Sequence, residues 1–209
     1  MQLFTRRVQM VTTTEAMAYA VEMQALATRV AGREITLWNG LFGGPVGSLF
    51  YSTRAEGIAD MAAVSATMAG NAEYMAKVDG GAKFRAGPTE DSLGTPLYGE
   101  LSGDQPPVGA YASIVMAEID NAMYEEALAW GADMAAFAEE TTGLPGMFLS
   151  NDYGAFGGVT WISVAMDGAG VDAARGKLYG NPEYLKRLGT TKGMFRPGSG
   201  LQALITRIA

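Results

Sequence analysis

The sequence of 209 residues predicts an α+β protein that contains two tandem β-α-β-β-α-β units. Three observations predict this fold class: one segment recurs at a fixed spacing, the strand and helix patterns run twice in the same order, and a segment rich in Gly and Pro separates the two runs. The recurring segment covers residues 71–78 and returns 110 positions later at 181–188. Both copies read Asn-x-Glu-Tyr-[Met/Leu]-x-[Lys/Arg]-[Val/Leu], which indicates a duplicated chain.

Two further matches keep the same order along the chain. A Phe-Arg-x-Gly motif at 84–87 recurs at 195–198, an offset of 111. Upstream, residues 37–39 and a following Gly-Gly pair correspond to 149–151 and its Gly-Gly pair, at an offset of about 112. Ordered matches at nearly constant spacing are the signature of an internal repeat.

The first copy begins with alternating apolar residues, which are typical of a strand, and continues with a Thr-x-x-Glu capping box before an amphipathic helix. A Gly-Gly-Pro turn between two apolar runs then predicts a β-hairpin, and two helical segments and a weak last strand follow. The predicted strands are 2–11, 34–41, 47–53 and 96–101, and the predicted helices are 12–31, 55–69 and 71–79.

The second copy repeats this order. Its long helix carries apolar residues at spacings of 4, 3, 4 and 3, and its last helix has Pro182 at the first helical position, where proline is well tolerated. The predicted strands are 111–118, 147–153, 159–166 and 201–208, and the predicted helices are 121–140, 169–178 and 181–189.

A boundary between the copies is expected where residues 102–109 combine Gly and Pro. We therefore predict a first ferredoxin-like repeat over residues 1–104 and a second over 105–209. A single ferredoxin-like sheet carries helices on one face only. The other face needs a cover, which the second copy supplies.

With this element order and these repeated motifs, the chain resembles the dimeric α+β barrel superfamily, and within it NIPSNAP-like and antibiotic-biosynthesis-monooxygenase-like proteins. The resemblance implies two ferredoxin-like units packed sheet to sheet as an intramolecular barrel, with a ligand between the sheets. The superfamily also includes haem proteins similar to chlorite dismutase. The proximal histidine of that branch is missing here, because the chain has no histidine.

Composition excludes several classes of site. Without cysteine or histidine there is no disulfide, no Ser-His-Asp triad, and no zinc or haem site of the usual kind. The net charge of −7 argues against nucleic acid as a partner. No apolar run is long enough for a membrane span, and no signal peptide is recognisable, so a cytoplasmic protein is expected. We expect no metal and no cofactor.

The candidate ligand-binding residues are polar or aromatic side chains on predicted strands. They are Arg6, Trp38, Asn39, Tyr51, Asn151, Tyr153 and Trp161. The two asparagines occupy corresponding places and either cap the Gly-rich hairpins or orient a ligand. The aromatic residues either form core or line a pocket.

Arg6 shares its strand phase with Phe4 and Val8, which directs a cation towards an apolar face. If buried, it requires an acidic or ligand partner, and Glu118 and Asp120 are the acidic candidates; otherwise it reaches solvent. The repeated Arg85 and Arg196 are interpreted as scaffold, since an active site seldom needs its arginine twice. The repeated Glu-Tyr pairs at 73–74 and 183–184 are interpreted in the same way.

These observations predict a tandem barrel protein that binds a small, largely apolar or aromatic molecule between its sheets. Two alternatives remain open: a cofactor-independent monooxygenase acting on an aromatic or polyketide-like substrate, and a non-catalytic assembly or scaffold protein. The methionines on the helix faces motivate the scaffold alternative, because methionine adapts to varied partners. A monomer and a homodimer are both compatible with the sequence.

Overall fold

The structure is a computed structural model that describes residues 1–209. Its eight strands are β1 Gln2–Met10, β2 Thr36–Phe42, β3 Ser48–Ala55, β4 Arg85–Tyr98, β5 Tyr111–Glu118, β6 Gly146–Tyr153, β7 Gly158–Ala165 and β8 Leu201–Arg207. Its six helices are α1 Thr14–Ala31, α2 Ile58–Gly70, α3 Ala72–Gly80, α4 Tyr124–Thr142, α5 Gly168–Tyr179 and α6 Pro182–Gly189. We call β1–β4 with α1–α3 the first half and β5–β8 with α4–α6 the second half.

The eight strands close into one antiparallel barrel in the order β1-β3-β2-β8-β5-β7-β6-β4. Within each half the strands are adjacent in the ferredoxin-like order, β4-β1-β3-β2 in the first and β8-β5-β7-β6 in the second. The halves meet through the ladders of β2 with β8 and of β4 with β6. The predicted α+β barrel is therefore confirmed, and closure leaves no strand edge unpaired.

The long helices begin and end where local chemistry requires it. The N-cap of α1 is Thr13, whose side-chain oxygen accepts from the Ala16 amide at 3.1 Å, so the cap lies one residue later than the predicted capping box. Gly32 and Gly143 end α1 and α4 in the left-handed conformation, with φ of 66° and 76°. A β-carbon is unfavourable in that conformation, which explains glycine at both helix ends.

The strand β4 differs most from its prediction, because it spans Arg85–Tyr98 instead of residues 96–101. Its glycines and prolines are typical of a loop, but here they lie at irregular positions of the ladders. The strand pairs with β1 through residues 85–94 and with β6 through 93–98. β4 thus closes the barrel by pairing with strands on both sides.

The two faces of the sheet have different neighbours. Leu37 and Leu49 lie on the outer face and pack against α1 in a cluster with Ala16 and Ala20. The inner face of the barrel contains a second cluster, in which buried Trp38 packs against residues from the second half, namely Ala112, Ile114 and Ile205. The core therefore has an outer layer under the helices and an inner layer along the barrel axis.

The connection between β4 and β5 is anchored to the barrel. Its Leu101 is buried, and its Gly103 carbonyl accepts from the Arg54 guanidinium at 2.5 Å. The Pro106 carbonyl accepts from Arg207, which is 10% exposed and also pairs with Glu34 at 2.7 Å. Separately, none of the helices combines the length and the apolar character needed to span a bilayer.

Candidate functional site

A cavity of about 370 Å³ lies in the first half, between the outer face of β1 and β3 and the helices α1, α2 and α3. Thirteen of its twenty lining residues are hydrophobic. The polar side chains of interest are Arg6, Tyr19, Tyr51, Tyr74 and Arg85. The apolar lining includes Phe4, Val8, Met10, Met23, Ile35, Met61, Val64, Met68 and Val78.

The strand β1 directs Arg6 into this cavity, because Phe4 and Val8 share its phase and line the same wall. The guanidinium donates to Asp91 on β4 through Nε at 2.8 Å and Nη2 at 2.7 Å. This hydrogen-bonded pair raises the pKa of Arg6 above its ordinary value, so the group stays cationic. The sequence-based partners Glu118 and Asp120 were therefore wrong, since β4 supplies the carboxylate.

Three phenols line the cavity, and two of them are bonded to helix carbonyls. The Tyr19 hydroxyl donates to the Lys77 carbonyl at 2.7 Å, and the Tyr51 hydroxyl donates to the Ala20 carbonyl at 3.2 Å. Burial is the main cause that raises the pKa of both phenols. They are neutral hydrogen-bond donors at physiological pH.

Tyr74 differs from the other two phenols. Its residue is 8% exposed, and its hydroxyl has no hydrogen-bond partner within the protein. Burial raises its pKa and the nearby Arg6 cation lowers it, with a net upward shift. The neutral Tyr74 hydroxyl is thus available to a ligand oxygen in the cavity.

Arg85 lies where the cavity opens to solvent, because it lines the cavity and is itself exposed. Its guanidinium makes neither an ion pair nor a hydrogen bond, whereas Arg196 of the repeated motif pairs with Glu118 at 3.2 Å. No carboxylate is among the twenty lining residues. The cavity therefore combines apolar walls, neutral phenols and two guanidinium groups.

The ladders show which residues correspond between the halves. The Met10 amide donates to the Gly47 carbonyl as the Ile119 amide donates to the Gly157 carbonyl, which fixes the register between the halves. Val8 opposite Leu49 therefore corresponds to Ala117 opposite Val159. At that register Arg6 corresponds to Val115, and Tyr51, which lies opposite Arg6, corresponds to Trp161, which lies opposite Val115. The hydrogen bond of Tyr51 to α1 has its counterpart in Trp161 Nε1, which donates to the Gly131 carbonyl of α4 at 2.8 Å.

The same register changes the pairing of the two Phe-Arg-x-Gly motifs. The Val11 amide donates to the Phe84 carbonyl, and the corresponding Asp120 amide donates to the Met194 carbonyl. Arg85 therefore corresponds in backbone position to Phe195, one residue before the arginine that the motif indicates. Aligning the two motifs by their identical residues therefore places them one residue away from their true structural correspondence.

Aromatic side chains fill the corresponding space in the second half. Trp161 stacks on Phe148 with ring centroids 4.8 Å apart, and Trp130 meets Trp161 edge to face at 6.0 Å. Phe195 contacts both tryptophans at 5.7 and 5.8 Å. Counted back from the glycine that ends each long helix, Trp130 corresponds to Tyr19. At these corresponding positions the second half has an aromatic cluster, whereas the first half has tyrosine and arginine and holds the cavity.

The site residues predicted from the sequence do not form one site in the structure. Arg6 and Tyr51 lie together in the cavity, while Trp161 belongs to the aromatic cluster of the second half. Trp38 lies on the inner face of the barrel and donates through Nε1 to the Thr36 hydroxyl at 2.9 Å. Tyr153, at the end of β6, is 60% exposed.

The two candidate asparagines do not correspond to each other. Asn39 pairs with Leu49, and the residue that pairs with the corresponding Val159 is Ser150. Asn151 instead lies against the hairpin glycine Gly158. Neither asparagine side chain hydrogen-bonds to the protein, so the proposed hairpin caps are not formed.

Sequence reasoning left Tyr19, Tyr74 and Arg85 out of the site. Tyr19 lies on a helix, whereas candidates were sought on strands, and Tyr74 belongs to a repeated Glu-Tyr pair that was interpreted as scaffold. Arg85 was assigned to the scaffold because its motif is repeated. What identifies Arg85 is that the corresponding backbone position of the second half holds Phe195. This correspondence is visible only when the two halves are aligned by their strand ladders.

No protein-family model and no curated protein matches this chain significantly. Solved structures do match. Two of them are described as "putative monooxygenase". The one from Fusobacterium nucleatum is 9% identical, with a TM-score of 0.66, and the match covers 100% of this chain and 92% of that protein. The one from Lactobacillus acidophilus is 14% identical, with a TM-score of 0.63, and the match covers 99% of this chain and 93% of that protein. An anthrone oxidase-like protein is 13% identical with a TM-score of 0.67, covering 100% and 92%. Together with the closed barrel of eight strands, these likenesses show that the chain has the dimeric α+β barrel fold, with both halves of the barrel in one polypeptide.

Proposed function

We propose that the protein binds a small, largely apolar or aromatic molecule in the cavity of the first half. The observation that carries this proposal is the difference between the halves: tryptophan and phenylalanine fill the space under the second set of helices, whereas about 370 Å³ stays open under the first. Two copies of one fold that differ at this place indicate that one copy has been adapted to hold a ligand.

The size and lining of the cavity suit such a ligand. Binding sites for small molecules measure about 300–1,000 Å³ and combine apolar walls with a few oriented polar groups. Met23, Met61 and Met68 line the cavity, and methionine adjusts its shape to a ring system at little cost. The free hydroxyl of Tyr74 supports recognition of a ligand oxygen.

The cavity lies on the outer face of the sheet, under the helices, whereas the sequence placed the ligand between the sheets. Trp38 and its apolar neighbours occupy the inner face, and the described cavity lies on the outer face, under α1 and α2. The proposed binding residues are accordingly Arg6, Tyr51, Tyr74 and Arg85.

Fluorescence anisotropy with 2-(hydroxymethyl)anthracene, a neutral three-ring probe, tests the proposal. We expect saturable binding at one site per chain. A triple substitution that transfers the aromatic cluster to the first half (Tyr19→Trp, Tyr51→Trp and Arg85→Phe) should fill the cavity and abolish binding. The single substitution Val64→Phe, at a buried lining position of α2, should weaken it about tenfold or more.

The matched control is Tyr153→Trp, which adds an aromatic ring at an exposed position away from the cavity. Circular dichroism confirms that each variant is folded. The proposal fails if the wild type does not bind the probe, or if folded cavity-filled variants bind it as well as the wild type does.

Oxygenation of the bound aromatic molecule is the second candidate function. It is favoured by the unpaired Arg85 guanidinium and the neutral Tyr74 hydroxyl in the lining of an apolar cavity, since such groups stabilise the anion of a deprotonated substrate. The relatives described as monooxygenase or anthrone oxidase-like suggest anthrone as the substrate to try. In an oxygen electrode, an active protein consumes one O₂ per anthrone and yields anthraquinone and water. If the probe binds but the protein does not increase oxygen uptake, we conclude that the protein binds the aromatic molecule without oxygenating it.

A further inference from the structure

We infer that the cavity selects ligands that carry an anionic group, a carboxylate or an ionised enol or phenol, and that Arg85 at the cavity opening binds this group. The inference rests on the proposed function and adds to it the chemical class of the ligand. It follows from the charge balance of the cavity and from the comparison of the two halves.

The comparison identifies a concerted change of polarity. At four corresponding positions the second half has Val115, Trp130, Trp161 and Phe195, and the first half has Arg6, Tyr19, Tyr51 and Arg85. Every one of these exchanges places a cation or a phenol where the packed half has an apolar side chain. Two of the four introduce a guanidinium. The carboxylate that comes with them is Asp91, which lies opposite Arg6 where Gln202 lies opposite Val115, and it pairs with Arg6, so that Arg85 alone is left without a counter-ion.

The cations around the cavity differ in how they are neutralised. Arg6 is held by Asp91, Lys83 pairs with Glu15 at 2.7 Å, and Lys77 pairs with Glu22. Arg85 has no counter-ion, although the chain as a whole carries a net charge of −7 and acidic residues are abundant. The unpaired cation therefore stands at an exposed part of the cavity wall, where a ligand in the cavity can reach it.

The geometry gives the two ends of a ligand different surroundings. The inner part of the cavity consists of side chains such as Met23, Ile35 and Val64, which favour an apolar ring system. The opening carries Arg85, whose planar guanidinium forms two parallel hydrogen bonds with a carboxylate. An amphipathic aromatic anion thus satisfies both ends, with its rings inside and its charge at the opening.

A matched pair of fluorescent probes tests this inference: anthracene-2-carboxylate and neutral 2-(hydroxymethyl)anthracene. In the wild type at neutral pH and low salt, we expect the carboxylate to bind about tenfold more tightly than the alcohol. Arg85→Gln should bring the two affinities within about twofold of each other, and Arg85→Lys should keep part of the preference. The preference should also shrink as ionic strength rises, because Arg85 is exposed.

Lys192→Gln is the control for the loss of one positive charge, because Lys192 is exposed, has no ion pair and lies outside the cavity lining. It should leave the preference for the carboxylate unchanged. Equal affinity for the two probes in the wild type, or a preference that survives in Arg85→Gln, overturns the inference while the proposed function stands. If neither probe binds, the proposed function itself fails, and this inference fails with it.

Discussion

Arg33 and Asp60 connect the residues before β2 to the outer helix α2 through two hydrogen bonds, of 2.7 and 2.5 Å. Asp60 also accepts from the Glu56 amide at 3.0 Å, so one carboxylate holds the first turn of α2 and the loop that leads into it. These contacts matter for the cavity, because α2 forms its outer wall and has Val64 as its only buried residue. The guanidinium of Arg33, and then the Glu56 amide, lower the pKa of Asp60 from 3.8 to about 2.

This lowered pKa predicts a dependence of stability on pH. A carboxyl group whose pKa is lower in the folded state stabilises the fold above its unfolded-state pKa, and loses that contribution as pH falls through the folded-state pKa. Asp60→Asn should therefore be less stable than the wild type above about pH 4, and the difference should narrow from there towards pH 2. Urea unfolding of both proteins over this range measures it. A difference that is constant with pH contradicts the assignment.

Single residues also show what the sequence could predict of the site and where it failed. The alternation of Phe4, Arg6 and Val8 predicted that a cation faces an apolar wall, which the structure bears out. Its partner could not be found the same way, because Asp91 is 85 residues away and reaches Arg6 only through the β1–β4 ladder. Local patterns report the face of a strand, whereas pairing between distant strands depends on register.

At the scale of elements, strands and helices with clear periodicity were predicted to within a few residues, and β5 was predicted at its observed bounds. The strand β4 was not, because its Gly and Pro residues resemble a loop and its pairing depends on closure of the barrel. Repetition located the matching helices α3 and α6 but misaligned the strands by one residue. That one-residue error concealed the exchange of Arg85 for Phe195, and with it part of the site.

The packed second half predicts a specific response to truncation. Trp161→Ala removes the ring that contacts Trp130, Phe148 and Phe195, together with the hydrogen bond to α4. We expect the free energy of unfolding to fall by about 3–5 kcal/mol, as measured by urea unfolding. Trp161→Phe, which retains an aromatic ring, is the control and should lose less.

The same variant should acquire a cavity under α4 and α5. Apolar cavities made by truncation bind small aromatic molecules, so indole should raise the melting temperature of Trp161→Ala and leave that of the wild type unchanged. A loss below about 1 kcal/mol, or equal responses to indole, would mean that the cluster does not pack as described.

On the scale of the whole molecule, the barrel is held together by the two ladders that join its halves. The β2–β8 and β4–β6 pairings cover strands that would be exposed edges in an isolated half. The inner cluster likewise joins Trp38 of the first half to Ile114 and Ile205 of the second. Each half depends on the other for its inner core and for the hydrogen bonds of its edge strands.

We therefore predict that the chain can be divided between residues 104 and 105, the proposed repeat boundary, but that neither piece is a stable monomer. Alone, residues 1–104 and 105–209 should each aggregate, self-associate or remain unfolded, since each exposes an apolar sheet face and two unpaired strands. Mixed in equal amounts, they should form a one-to-one complex with the cooperative melting of the intact chain, as measured by sedimentation and circular dichroism. A fragment that melts cooperatively as a monomer would show that the inner face needs no partner, because its core would then be complete within one half.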